Sequence, residues 1–245
     1  MKNEYKNEYK VGYTSVDRNL NLSLVGCATI IQDMVTELFE HLETDNIKIK
    51  DENNAVWVLT KLKIHFEKYP IWKQKVQATS FITSKSKIRV QNNTKVEDEI
   101  GNVLFIAKQE SCPIDLTTRK VRKIETIRFP LNLEIAEPII EEDFEKLNNN
   151  FEQENIVGKR EVYYNDTDYS KHTNNVSYVR FIMNMINSEI FENNMITDFE
   201  INYINESKEG QILDIYRKDY ENKIDFVIRF EENELVRARI KLKKL

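Results

Sequence analysis

Apolar residues recur at Leu24, Ala28, Ile31, Val35, Leu38 and Leu42, in steps of three and four. That spacing predicts one amphipathic helix long enough to be buried along a face. Ahead of it YKVGYTSV (9–16) alternates as a strand does. After it AVWVLTKLKIHF (55–66), KVQATSFIT (75–83), KIRVQNNTKVED (87–98) and NVLFIAKQESCPI (102–114) read as strands. EIGN (99–102) between the last two is a hairpin turn, because Gly101 accepts positive φ cheaply. The same order then returns. IVGKREVYYND (156–166) predicts a strand, and Val179, Ile182, Ile186 and Ile190 a second helical stripe. DFEINYINES (198–207), ILDIYRKDY (212–220), KIDFVIRF (223–230) and ELVRARIKLKKL (234–245) follow as short strands with tight turns such as EENE.

The halves superimpose at one offset: Asp17 falls on Asp168, Asn19 on Ser170, Asn21 on His172, Ala28 on Val179 and Ile31 on Ile182. Internal duplication explains this. Each half is a strand, a long helix and about four antiparallel strands, and a sheet with one apolar face needs that helix as its cover. Strands wrapped around a central helix make a hotdog, so the pattern predicts an α+β double hotdog. Its parts are an N-terminal domain at 1–125, a linker at 126–155 and a C-terminal domain at 156–245. The region 116–155 holds two of the four prolines and reads as a connection with a short helix or two; its acidic run EEDFE (141–145) reads as a solvated helix face.

Composition narrows the class. A 40% hydrophobic content with 12 Phe and 11 Tyr supports real cores. Net charge is −5 with Lys and Arg dispersed, which gives nucleic-acid binding no support. Cys27 and Cys112 are the only cysteines, so no disulfide framework or metal spacing exists, and a reducing cytoplasm is expected. No apolar run approaches the roughly 18–20 residues of a membrane span. Nothing in the pattern calls for a metal or cofactor.

The chemistry concentrates in NDTDYSKHTNN (165–175). Asp168, Ser170 and His172 alternate and project from one side if the segment is extended. Asn174 and Asn175 lead into the second stripe, where caps are each worth about 1 kcal/mol. Capping is the plainer role for both asparagines, and alone His172 is an ordinary polar histidine.

Five stretches give a resemblance that runs in order along nearly the whole chain. In the first half they are VGYTSVDRNLNLSLVGCATIIQD (11–33), WVLTKLKIHFEKYPIWKQKV (57–76) and IGNVLFIAKQESCPIDLTTRKVRKI (100–124). In the second they are NDTDYSKHTNNVSYVRF (165–181) and INYINES (201–207). Together they resemble the acyl-acyl carrier protein (acyl-ACP) thioesterases, whose signature reads Asp-x-Asn-x-His-x-Asn-Asn. The resemblance implies hydrolysis of fatty acyl-ACP by water. Asp168 and Glu206 would be the activating carboxylates, with Glu206 at the end of the strand after the helix, His172 assisting, and Ser170 in the signature asparagine's place. Asn174, Asn175, Trp57 and Arg89 would be substrate-binding positions, although Trp57 also reads as core and Arg89 as a solvated or structural arginine.

Ser207 stands where many plant members carry a cysteine, and Cys27 and Cys112 lie away from the signature, so water is the expected nucleophile. Asn21 in place of His172 leaves the first copy without catalytic power, and that half is expected to house the acyl chain. The implied partner is an acidic acyl carrier protein, met by Lys171, Arg180, Lys61 and Lys63. An acyl-CoA thioesterase and a non-catalytic acyl- or carrier-binding protein stay open as alternatives. So do monomer and homodimer.

Overall fold

The computed structural model describes residues 3–130 and 132–245. Met1 and Lys2 of the first expected domain and Leu131 of the expected linker lie outside the described residues. Two compact units are present, the first ending at Glu142 and the second beginning at Asp143.

In the first unit β1 (Tyr5–Lys10) leads to α1 (Leu24–His41) and α2 (Asn46–Asn53). The strands β2 (Ala55–Phe66), β3 (Lys75–Lys85), β4 (Val90–Asp98) and β5 (Val103–Asp115) follow. They pair antiparallel in the order β1-β3-β4-β5-β2. α1 begins at Ser23, whose Oγ accepts from the Gly26 amide at 3.0 Å. Gly26 is required there: a Cβ would lie 2.7 Å from the Leu22 side chain and 2.8 Å from the Ser15 carbonyl oxygen. Leu24, Ala28, Ile31, Leu38 and Leu42 of the stripe are buried. Leu38, Phe39 and Leu42 pack with Trp57, Ile82, Val90, Ile127 and Phe129, so the chain just after residue 125 contributes to this core.

The second unit repeats the plan. β6 (Ile156–Glu161), α3 (Asn175–Met183) and the single turn α4 (Ile190–Asn193) come first. β7 (Asn194–Tyr203), β8 (Ile212–Asp219), β9 (Lys223–Phe230) and β10 (Asn233–Lys244) complete it. The antiparallel order is β6-β8-β9-β10-β7, the same as in the first unit. Among the described residues no helix is long and apolar enough to cross a membrane.

Several expected elements are corrected. The opening strand is Tyr5–Lys10 rather than 9–16, and Tyr13–Ser15 is a 3-10 turn. Likewise Tyr164–Asp166 leaves the strand predicted for 156–166. α2 was not expected. Its ends are fixed by the Asp45 side chain, which accepts from the Ile47 and Lys48 amides, and by Asn54 at φ 53°. The second stripe overshoots, because α3 stops at Met183 and Ile186 lies in a turn. The Asn187 side chain competes for backbone groups there, accepting from the Glu189 amide at 3.1 Å. No helix forms over EEDFE. Glu145 instead accepts from Arg239 at 2.7 Å and from Lys241. Burial raises the Glu145 pKa, but these two cations more than offset it and hold the carboxyl below its ordinary value.

Candidate active site

Between β6 and α3 the chain makes a tight turn, not the extended segment that alternation implied. Thr167 and Thr173 form an isolated bridge, and the Asp168 amide donates to the His172 carbonyl at 2.9 Å. Lys171 sits at φ 64°. Asp166 anchors the turn at both ends. Its buried Oδ2 accepts from Arg160 Nη2 at 3.0 Å and the Tyr163 amide at 3.1 Å, and its carbonyl accepts from the Asn174 amide at 2.9 Å. Arg180 of α3 lies 3.7 Å from its other oxygen.

The side chains of that turn form a connected line. Asp168 Oδ1 accepts from the Ser170 amide at 2.8 Å and from Ser170 Oγ at 2.6 Å. Ser170 Oγ lies 3.0 Å from His172 Nδ1, and His172 Nε2 lies 3.4 Å from Glu206 Oε2. Because the Ser170 hydroxyl spends its proton on Asp168, its oxygen accepts from Nδ1–H, which leaves Nε2 facing the carboxylate. Asp168, Ser170, His172 and Glu206 are therefore brought together. Glu206 lies in the loop after β7 rather than on a strand, and its side chain is 39% exposed.

What holds that loop is a group of buried hydroxyls. Ser207 is fully buried; its Oγ lies 2.6 Å from Thr173 Oγ1 and 2.7 Å from the Tyr178 hydroxyl. The Ser207 carbonyl accepts from the Thr173 amide at 2.8 Å, and the Ser207 amide donates to the Tyr178 oxygen at 3.1 Å. Burial pushes the Tyr178 phenol above its ordinary pKa, so it stays a neutral hydroxyl. Sequence reasoning missed Asp166, Thr173 and Tyr178; the Asp-x-Asp spacing of Asp166 and Asp168 was the one available signal.

The remaining expected positions are placed as follows. Asn174 caps α3, its Oδ1 accepting from the Val176 amide at 2.8 Å, and the Asn175 carbonyl accepts from the Tyr203 hydroxyl at 3.2 Å. Trp57 packs between Phe39 and Phe129 in the first unit's core, with its indole donating to the Thr44 carbonyl at 2.8 Å. Arg89 donates to the buried Glu110 at 2.7 Å. Cys27 and Cys112 are both buried, and burial raises the pKa of each thiol.

Comparison with known proteins agrees with this architecture. Residues 2–127 match the family model of the acyl-ACP thioesterase N-terminal domain, and residues 149–244 match that of the C-terminal domain. A chloroplastic acyl-[acyl-carrier-protein] hydrolase of Cuphea viscosissima is 25% identical over 66% of this chain and 41% of its own length. The dodecanoyl-[acyl-carrier-protein] hydrolase of Cinnamomum camphora is also 25% identical, over 66% of this chain and 44% of its own. The chain thus spans less than half the length of these relatives. Among solved structures, an acyl-ACP thioesterase from Bacteroides thetaiotaomicron aligns with a TM-score of 0.90 at 19% identity over 98% of both chains. The 12:0-ACP thioesterase of Umbellularia californica aligns at 0.82 with 17% identity, over 99% of this chain and 98% of that one. The fold is the double hotdog, and the chain belongs to the acyl-ACP thioesterase family.

Proposed function

We propose that the protein hydrolyses the thioester of fatty acyl-ACP to free fatty acid and carrier-protein thiol. The observation that carries this reading is the imidazole of His172, fixed at one nitrogen through Ser170 to Asp168 and facing Glu206 with the other. Asp168 is engaged by the amide and hydroxyl of Ser170, so Glu206, the more exposed of the two carboxylates, is the base that orients and deprotonates water. The water oxygen bonds to the thioester carbon, the C–S bond breaks, and the thiolate takes the proton that Glu206 received. His172 relays it: Nε2, without a proton in this tautomer, takes the proton from Glu206 and passes it on. The electropositive start of α3 favours the oxyanion. In this scheme Asp168 and Ser170 set the imidazole tautomer, which neither does by touching substrate.

A protein nucleophile fits poorly. Both thiols are buried in the first unit, and the Ser207 hydroxyl is enclosed between Thr173 and Tyr178. The first unit houses the acyl chain and the second carries the chemistry. Lys171 and Arg180, both exposed beside the signature turn, meet the acidic carrier protein, so binding weakens as salt rises. Two unpaired cysteines suit operation in a reducing cytoplasm.

Matched acyl-ACP and acyl-CoA substrates of one chain length test the reading. Higher kcat/KM for the carrier-protein thioester, falling with ionic strength, is the expected result. Equal or better hydrolysis of the CoA ester reassigns the substrate, and no turnover of either removes the activity.

A further inference from the structure

The two sheets differ on equivalent inner faces. In the second unit that face carries Ile201, Ile215, Phe226, Ile228, Ala238 and Ile240, all buried and apolar. In the first unit the inner face is marked by Ile82 and Val90, which pack with Leu38 of α1. Asn92 sits opposite Ile82 and Gln109 on that face, and Thr94 opposite Ser80 and Ala107. Ser80, Asn92 and Thr94 are 0% exposed and Gln109 1%. Four uncharged polar side chains therefore occupy the middle of this surface, whereas the central strands of the duplicate's face carry Ile224, Phe226, Ala238 and Ile240, with Arg217 opposite Phe226 on the neighbouring strand.

They satisfy one another incompletely. Asn92 Nδ2 donates to Gln109 Oε1 at 3.0 Å and lies 3.4 Å from Ser80 Oγ, and Thr94 Oγ1 lies 3.1 Å from the same Ser80 oxygen. Asn92 Oδ1 is buried with no hydrogen-bond partner among the described residues. A buried acceptor left unpaired is destabilising, and the second unit demonstrates that the fold has no need of one at this place.

We propose that this patch selects acyl chains bearing a hydroxyl group, whose O–H donates to Asn92 Oδ1. The proposal rests on the thioesterase reading and on the first unit housing the chain. A saturated hydrocarbon laid on the patch leaves the acceptor unpaired, whereas a hydroxyl at the right carbon pairs it. Sites built to bond a substrate hydroxyl discriminate strongly against the analogue that lacks it.

The test is kcat/KM for acyl-ACPs of one chain length, one saturated and the others carrying a hydroxyl moved along the chain. Wild type should favour one hydroxyl position by about tenfold or more over the saturated chain. Asn92→Leu should abolish that preference and raise the rate on the saturated chain. Calorimetry with the corresponding free acids and wild-type protein reads the same preference without turnover. It keeps the proposal decidable if Asn92→Leu fails to fold, and it separates this proposal from the thioesterase reading, whose failure appears as no hydrolysis of any substrate. Preference for the saturated chain at every hydroxyl position overturns the proposal. So does a retained hydroxyl preference in Asn92→Leu, or equal binding of all the acids, as an internal water on Asn92 would give.

Discussion

The turn before α1 and the turn before α3 have the same backbone and different chemistry. Asp17 N donates to Asn21 O at 2.8 Å as Asp168 N donates to His172 O at 2.9 Å. Asn19 N and Ser170 N each donate to the preceding aspartate's Oδ1 at 2.8 Å. Leu20 and Lys171 sit at φ 62° and 64°. Leu22 N reaches Pro70 O at 2.7 Å, and Thr173 N reaches Ser207 O at 2.8 Å. What differs is every side chain assigned to catalysis except the aspartate. Ser170, His172 and Glu206 correspond to Asn19, Asn21 and Tyr69; the clamp of Thr173, Tyr178 and Ser207 corresponds to Leu22, Cys27 and Pro70. The aspartate-closed turn is thus common to both copies. The imidazole–carboxylate pair and the hydroxyls beneath it are additions the fold does without.

The sharpest break of this contrast is at the carboxylate. Glu206→Gln should lower kcat by about 10²–10⁴-fold while leaving the melting temperature within error, and Tyr69→Phe should leave kcat unchanged. Steady-state kinetics beside a thermal melt reads both. Ser170→Ala comes next: it removes the bridge between Asp168 and Nδ1 and should lower kcat roughly tenfold with KM unchanged. Ser170→Asn, which restores a side chain able to span the same two groups, should recover most of that loss. In the clamp, Ser207→Ala removes the hydroxyl that the buried Thr173 and Tyr178 hydroxyls share and should destabilise the second unit by about 1–3 kcal/mol, read by urea denaturation. Pro70→Ala, lacking such partners, should do less. The smallest effect tests the shared part. Ser23→Ala and Asn174→Ala each delete a helix cap, and both should reduce stability by a similar amount, about 1 kcal/mol.

These particulars also mark what the sequence made readable. The duplication was legible because the offset between copies holds from the first strand through the helix start, so Asp17 and Asp168 align without gaps. α1 was legible because its stripe is aliphatic and buried on one side. β1 was misplaced because YKNEYK alternates with half-buried tyrosines, a weak signal beside the apolar VGY that follows. α2 carries no stripe, since Ile49 is buried while Ile47 is 69% exposed. It is held by its caps, and periodicity does not register those. Within the site, Asp168, Ser170 and His172 are local and could be singled out, whereas Glu206 came only through family resemblance. The clamp was invisible because Thr173 and Ser207 meet across 34 positions of sequence.

The central claim is that His172, and not its counterpart in the first copy, serves the reaction. Acyl-ACP hydrolysis by wild type, His172→Ala and Asn21→Ala, each checked for an unchanged melt, tests it most directly. The account predicts that kcat falls by about 10²–10⁴-fold in His172→Ala and stays at the wild-type value in Asn21→Ala. Equal rates in all three proteins would contradict it.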